Sequence, residues 1–204
     1  MVLIQTTIRS KSMRNACLLL VCILPLLGAC KKEDPEASLP RISQEGLNTG
    51  GFLLDGVAYP ATGWDGSLLG SRGPTDALQG GYSFIIPGFP VDPRYTLHIN
   101  SEQAKNHVVV TLFLRNPATG SFALNRNTQL PPSAADSTVF DHATIDFGTP
   151  NGEVYTTSAS HTGQITLSRA TRPLSAGTFE FTAVSNLDPT KTIRVTAGRF
   201  DRKQ

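Results

Sequence analysis

The three cysteines carry the most distinctive chemistry in this 204-residue chain, and Cys30 stands apart from the other two. It follows the small residues Gly28 and Ala29 where an apolar run ends, and the charged residues 31–34 come directly after it. A cysteine thiolate can form a disulfide, attack a substrate, bind a metal or take up a lipid carbon. Small residues on its N-terminal side leave the backbone open to a peptidase, which favours the last of these roles.

The segment before Cys30 has the layout of a bacterial export signal. Residues 1–15 carry three basic residues and no acid, and an apolar stretch follows over residues 16–27. That stretch holds about a dozen apolar residues and is interrupted by Pro25, whereas a membrane-spanning helix needs roughly 20. We therefore predict a cleaved signal peptide over residues 1–29.

The sequence Leu27-Gly28-Ala29-Cys30 resembles the lipobox of bacterial lipoproteins, which implies that Cys30 is lipidated and becomes the first residue of the mature chain. Cys17 and Cys22 would leave with the signal, so disulfides, a cysteine nucleophile and thiolate metal sites are excluded. Residues 31–34, Lys-Lys-Glu-Asp, resemble the surface-export tag of Bacteroidota lipoproteins. These resemblances imply a protein held in the outer membrane by its lipids and exposed at the cell surface.

Charge argues against nucleic acid as a partner. The chain has 18 Lys and Arg residues against 16 Asp and Glu, but three of the basic residues lie in the predicted signal. The mature chain is therefore almost neutral, and it has no basic run with interleaved aromatic residues. Residues 30–49 combine prolines and charges without an apolar period, which predicts a flexible tether.

Residues 50–204 are predicted to form a single β-rich domain. An Asp55-Gly56 pair between two apolar triplets indicates a tight hairpin, because both residues of such a turn adopt positive φ. Alternating apolar and polar residues mark further strands, clearest in the last third of the chain. The run at residues 108–114 is apolar on both faces and predicts a central strand covered on both sides.

About ten short strands and no amphipathic helix in this domain favour an all-β fold. We predict an antiparallel β-sandwich, with a barrel-like or an α+β fold as alternatives. The loop at residues 125–150 is expected to contain one short strand near residues 143–147.

The C-terminal third carries a family resemblance. Tyr155 and Thr157, then residues 163–167, then Ser-x-Gly-Thr-Phe-x-Phe at residues 175–181 and Gly-x-Phe at residues 198–200 follow one another. This pattern is similar to a family of small Bacteroidota lipoproteins of unknown function. The resemblance implies a lipoprotein with a β-rich fold, and it implies no activity.

The residue patterns give little support to catalysis. The histidines are spread through the chain without a zinc-type spacing, and no Gly-x-Ser-x-Gly motif of a serine hydrolase occurs. Their positions are His98, His107, His142 and His161. We therefore predict no catalytic residue, no metal and no cofactor.

Two further residues are candidates for a site. Trp64 lies in a loop, where an exposed aromatic ring could stack on a sugar or a partner surface. Ser137, in Asp136-Ser137-Thr138, resembles the short O-glycosylation motif of exported Bacteroidota proteins.

We expect a lipid-anchored, non-enzymatic binding module for a glycan or protein partner. The alternatives are a secreted hydrolase acting on glycans or peptides and a structural envelope protein.

Overall fold

The computed structural model describes residues 34–63, 75–82, 94–103, 106–126 and 141–204. Cys30, Trp64 and Ser137 lie outside these ranges, as does the predicted signal peptide. Lipidation, ligand contact and glycosylation at those three residues therefore stay predictions.

The described residues form eleven strands and one short 3₁₀ helix, Pro35–Ser38, so the predicted all-β fold is confirmed. None of these residues forms a helix long and apolar enough to cross a membrane. The strands are β1 (Thr49–Leu54), β2 (Val57–Pro60), β3 (Leu78–Tyr82), β4 (Tyr95–Gln103), β5 (Asn106–Leu114), β6 (Gly120–Leu124), β7 (His142–Asp146), β8 (Val154–Thr156), β9 (Gly163–Thr171), β10 (Leu174–Ser185) and β11 (Thr192–Lys203).

All pairings are antiparallel and join the strands into one curled sheet, a half-barrel. The main order is β2-β1-β11-β10-β8-β7-β5-β4-β3. The sheet forks at β10, because its first eight residues pair with β9 and its last two pair with β8. β6 continues the short branch by pairing with β9.

The β1–β2 hairpin turns at the predicted position. Leu54 pairs directly with Val57, and the two turn residues between them, Asp55 and Gly56, have φ values of 49° and 83°. Positive φ at both positions is the requirement of the two-residue turn that matches the twist of the strands. The short strand predicted near residues 143–147 is β7, one residue earlier than expected.

The curl brings the two ends of the main sheet together. The Ser101 hydroxyl of β4 donates a hydrogen bond to the Pro60 carbonyl of β2 at 2.7 Å. The Gln204 carboxamide accepts from the Tyr82 N–H at 3.2 Å and donates to the Tyr82 carbonyl at 2.7 Å, as a neighbouring strand would. These contacts link the two end regions of the half-barrel beside its core.

The core contains residues from every strand except β2, which packs Tyr59 against it. Tyr95, Leu97 and Ile99 of β4 are fully buried on one face, as their alternation predicts. β5 lies between β4 and β7, so the predicted central position is confirmed. Its inner face is buried, but on its outer face only Phe113 is buried. Val109 and Thr111 on that face are half-buried.

The compact unit begins at Pro35 instead of residue 50, and residues 35–48 pack against β2 and β11 as an N-terminal strap. The Asp201 carboxylate accepts three hydrogen bonds from strap N–H groups, at 3.0 Å from Glu45, 2.8 Å from Gly46 and 3.1 Å from Leu47. Leu39 of the strap is buried. The polar composition of these residues predicts a tether. Asp201, the partner of their backbone, lies 155 residues away from Gly46, so the local sequence does not reveal it.

Candidate functional site

A groove of about 460 Å³, lined equally by polar and apolar atoms, lies on the outer face of strands β9, β10 and β11. Its volume falls in the range of small-ligand sites, roughly 300–1,000 Å³. One side is closed by Glu36 and Ile42 of the strap, and the floor is the sheet itself. The polar side chains that line the groove from the sheet are those of Gln164, Thr166, Thr178, Glu180, Thr196 and Arg199.

The sheet register arranges these side chains in rows across neighbouring strands. Ser121, Thr166, Thr178 and Arg199 stand side by side on β6, β9, β10 and β11, and the first two hydroxyls are 2.8 Å apart. Neighbouring strands are about 4.8 Å apart, so the row presents polar groups at that interval.

A parallel row begins with Gln164 directly opposite Glu180. Both side chains are exposed, and both also line an adjoining groove of about 290 Å³ that extends to Arg194. The polar surface is therefore longer than the first groove alone.

Two reciprocal glycine and phenylalanine pairs hold β10 against β11 beneath the groove. Gly177 lies opposite Phe200, and Phe179 lies opposite Gly198. A Cβ atom on Gly198 would come within 2.6 Å of the Phe179 ring, so the ring occupies the space that a side chain would need. The Ser-x-Gly-Thr-Phe-x-Phe and Gly-x-Phe segments are thus explained by packing between two strands.

A β-bulge in β11 shapes the groove at its centre. Phe179 and Phe181 of β10 pair with Gly198 and Val195, so β11 has one extra residue between them. Ala197 lies in this bulge with φ of 51°, a conformation that costs a non-glycine residue about 1–2 kcal/mol. Backbone strain of this kind is concentrated at binding and catalytic sites.

Arg199 is held in one orientation at the end of the hydroxyl row. Its Nε donates to the Ala197 carbonyl at 3.0 Å, and its Nη2 forms an ion pair with the Glu36 carboxylate of the strap. Only 13% of the side chain is exposed. The guanidinium is therefore fixed before any ligand arrives.

The groove and its extension balance their charges. The carboxylates of Glu36 and Glu180 match the guanidinium groups of Arg194 and Arg199 in number. Hydroxyl, amide and paired charged groups together offer both donors and acceptors. Such a surface suits an uncharged ligand with many hydroxyl groups better than a polyanion.

His98 and His107 belong to the same β4–β5 hairpin but are kept apart by its register. His98 Nδ1 lies 2.9 Å from the Thr111 hydroxyl, whereas His107 pairs with Glu102, four residues further along β4. Four residues of strand correspond to roughly 13 Å. Burial lowers the pKa of His98. In the part of the chain that the structure describes, no group of three or more His, Cys, Asp or Glu side chains could hold a metal ion.

The other two histidines are parts of the framework. His142 is fully buried and stacks on Phe113 at a centroid distance of 5.2 Å. His161 Nδ1 lies 3.0 Å from the Ser158 hydroxyl, which also accepts the N–H groups of Ser160 and His161. The Ser158 oxygen thus organises a local turn, and this arrangement differs from a nucleophile presented to a substrate.

Glu153 lies beside Ser185 at the opposite end of β10. The Ser185 hydroxyl donates to it at 2.7 Å and Lys191 lies 3.4 Å away, and these contacts lower the pKa of Glu153. Asp141 and Asp146 accept hydrogen bonds from the backbone N–H groups of Arg115 and Gly148. These acids serve local structure and do not converge on one another through any of these contacts.

No residue of the groove was predicted as a site from the sequence. In the sequence, Gln164, Thr166 and Glu180 are distinguished only as polar positions of alternating strands. The available signal was the repeated choice of Thr, Gln and Glu on one face of three successive strands. Alternation alone does not show which outward faces lie side by side. It also does not show that Glu36, which lies outside the strands, borders the same groove.

Comparisons with protein-family models, with curated proteins and with solved structures found no match for this chain.

Proposed function

We propose that this protein is a lipid-anchored binding module of the cell envelope that holds an uncharged, polyhydroxylated ligand, a glycan, in the outer groove. The observation that supports it is the row of hydroxyls leading to the fixed Arg199 guanidinium. Sugar hydroxyls both donate and accept, so they can pair with Thr, Gln, Glu and Arg side chains together. The anchor and the outer-membrane location rest on the sequence around Cys30.

The groove offers hydrogen bonds rather than a surface for stacking. Phe179 lies beneath it and is only 3% exposed, so its ring is not available to a sugar face. Each hydrogen bond contributes modestly in water, because protein and ligand both lose water partners when it forms. Recognition would therefore depend on several strands acting together along an extended ligand.

Replacing both Gln164 and Glu180 with alanine is expected to weaken glycan binding about tenfold or more, the effect of losing roughly 1.4 kcal/mol of hydrogen bonding. Both side chains are exposed, so the fold should tolerate the change. The matched control replaces Glu102 and Gln103, an exposed Glu and Gln at the end of β4. Calorimetric titration with a panel of neutral oligosaccharides measures the difference.

The same titration separates the competing hypotheses. Equal affinity of the groove variant and the control variant would contradict the proposed site. Release of new reducing ends during incubation would favour a hydrolase, and the absence of binding to any oligosaccharide would favour a structural envelope protein.

Replacing Cys30 with serine is expected to abolish lipid attachment, because a hydroxyl cannot replace the thiol as the acyl acceptor of a lipoprotein signal. Cells grown with radiolabelled palmitate should label the wild-type chain and leave the Cys30→Ser chain unlabelled. A Cys17→Ser variant is the control and should label normally. Unchanged labelling of Cys30→Ser would remove the anchor from the proposal.

A further inference from the structure

The strap leaves little chain between the folded unit and the predicted lipid. The compact unit begins at Pro35, so only the four residues 31–34 separate it from Cys30. A fully extended chain advances at most about 3.6 Å per residue, which gives a reach of roughly 18 Å from Cys30 to Pro35. The strand β11 alone, with twelve residues, spans roughly 40 Å. A domain tied this closely cannot move far from the bilayer surface.

The strap also carries exposed apolar side chains. Among the described residues, four large hydrophobic side chains are exposed, and two of them, Ile42 at 61% and Leu47 at 46%, lie on the strap. Arg41 next to Ile42 is exposed and pairs with the exposed Glu45 carboxylate at 3.1 Å, and Lys203 beside the end of the strap is also exposed. Apolar residues flanked by basic ones are typical of surfaces that enter the headgroup layer of a membrane.

The strap is held rigidly, so these side chains are presented in a fixed place. The buried Asp201 carboxylate accepts the N–H groups of three successive residues that end at Leu47. Asn48 then accepts a hydrogen bond from the Lys203 N–H at 2.9 Å. Leu47 therefore lies between hydrogen bonds to β11, and Ile42 lies between these bonds and the ion pair of Glu36 with Arg199.

We propose that the strap rests on the membrane that holds the lipid, with Ile42 and Leu47 in the headgroup layer and with the groove that Ile42 borders opening beside that membrane. This inference depends on the proposed lipidation of Cys30, since the short reach to Pro35 is what brings the strap to the bilayer. The side of the domain that carries the strap would then face the membrane.

The other two exposed hydrophobic residues serve as matched controls. Val57 is 50% exposed and Leu187 is 54% exposed, close to the values of the strap residues. Leu187 lies in the turn before β11, whereas Asp201, which binds the strap, is near the other end of that strand. The β1–β2 turn beside Val57 is hydrogen-bonded to Arg194, also near the start of β11. Leu187 therefore lies at the end of β11 away from Asp201 and is the remote control. Val57 is the nearer control, because its strand β2 contacts the 3₁₀ helix of the strap.

The test uses the full lipoprotein produced in a lipidating host and inserted into phosphatidylethanolamine and phosphatidylglycerol vesicles. Single cysteines at positions 42, 47, 57 and 187 (Ile42→Cys, Leu47→Cys, Val57→Cys and Leu187→Cys) are labelled with an environment-sensitive fluorophore, which is unambiguous because the mature chain has no cysteine after Cys30. Circular dichroism confirms that each variant is folded.

Spin-labelled headgroup lipids should quench the fluorophores at positions 42 and 47 several-fold more strongly than those at positions 57 and 187. Equal quenching at all four positions in a protein that floats with the vesicles would overturn the docking of the strap and leave the lipid anchor intact. A protein that does not float with the vesicles would overturn the anchor and, with it, this inference.

Discussion

Replacing Gly177 with alanine is expected to lower the free energy of unfolding by about 3 kcal/mol, the upper part of the range for overpacking a dense interior. A Cβ atom at this position would lie 2.4 Å from the Thr166 carbonyl oxygen and 3.2 Å from the Phe200 ring. The nearer atom belongs to the backbone of β9 and cannot move without breaking the pairing of β9 with β10. The change would therefore separate the two strands that form the floor of the groove.

Gly120→Ala is the control for this prediction. Its added Cβ atom would meet no other atom within 4 Å, although its φ of 137° makes any side chain strained. We expect a loss of about 1–2 kcal/mol from the backbone alone. Urea denaturation of both variants measures the difference, and equal losses would show that crowding between β9 and β10 is not the cause.

Replacing Asp201 with alanine is expected to destabilise the protein by about 3 kcal/mol and to release the strap. Hydrogen bonds to a charged group contribute roughly 1.5–3 kcal/mol each, and part of this would be recovered as water reaches the freed N–H groups. Limited proteolysis should then cut within residues 35–48, which the wild-type protein protects. The control Glu45→Ala removes only an exposed ion pair with Arg41 and should change stability by no more than about 0.5 kcal/mol.

The contribution of Asp201 should also depend on pH in a defined direction. Burial alone would raise the pKa of this carboxyl, but the hydrogen bonds from the strap outweigh burial and hold the pKa below its ordinary value. A carboxyl with a lowered pKa in the folded state stabilises the protein fully above its unfolded pKa of about 3.9. The stabilisation is lost as the pH falls through the folded pKa. The stability difference between wild type and Asp201→Ala should therefore be constant near neutral pH and shrink in strong acid; a difference that grows below pH 4 would contradict the carboxylate's role.

Much of the local structure could be predicted, because strands and tight turns depend on neighbouring residues. Asp55 and Gly56 formed the expected turn since both residue types tolerate positive φ. The alternation of Phe179, Phe181 and Ala183 with polar residues indicated β10, and all three are buried. Such patterns report which face of a strand is buried, and they carry this information without reference to the rest of the fold.

The groove could not be predicted, because its parts come from elements far apart in the chain. Glu36 meets Arg199 across 163 residues, and the bulge at Ala197 that exposes a carbonyl to Arg199 follows from pairing on both sides of β11. The residues of the strap looked like a polar tether for the same reason. These residues are polar, as a tether would be, but their backbone N–H groups bind a buried carboxylate near the other end of the sequence.

The sequence by itself determined the chemistry that is local: the predicted export signal, the single cysteine at its end, the β-hairpin turn and the alternating strands. Only the tertiary structure decided that eleven strands join in one curled sheet, that outward polar residues of β9, β10 and β11 form one surface, and that the folded unit starts at Pro35. The physical reason is that turns and alternation are set by adjacent residues, whereas sheet order and buried hydrogen bonds depend on partners that the chain brings together only when it folds.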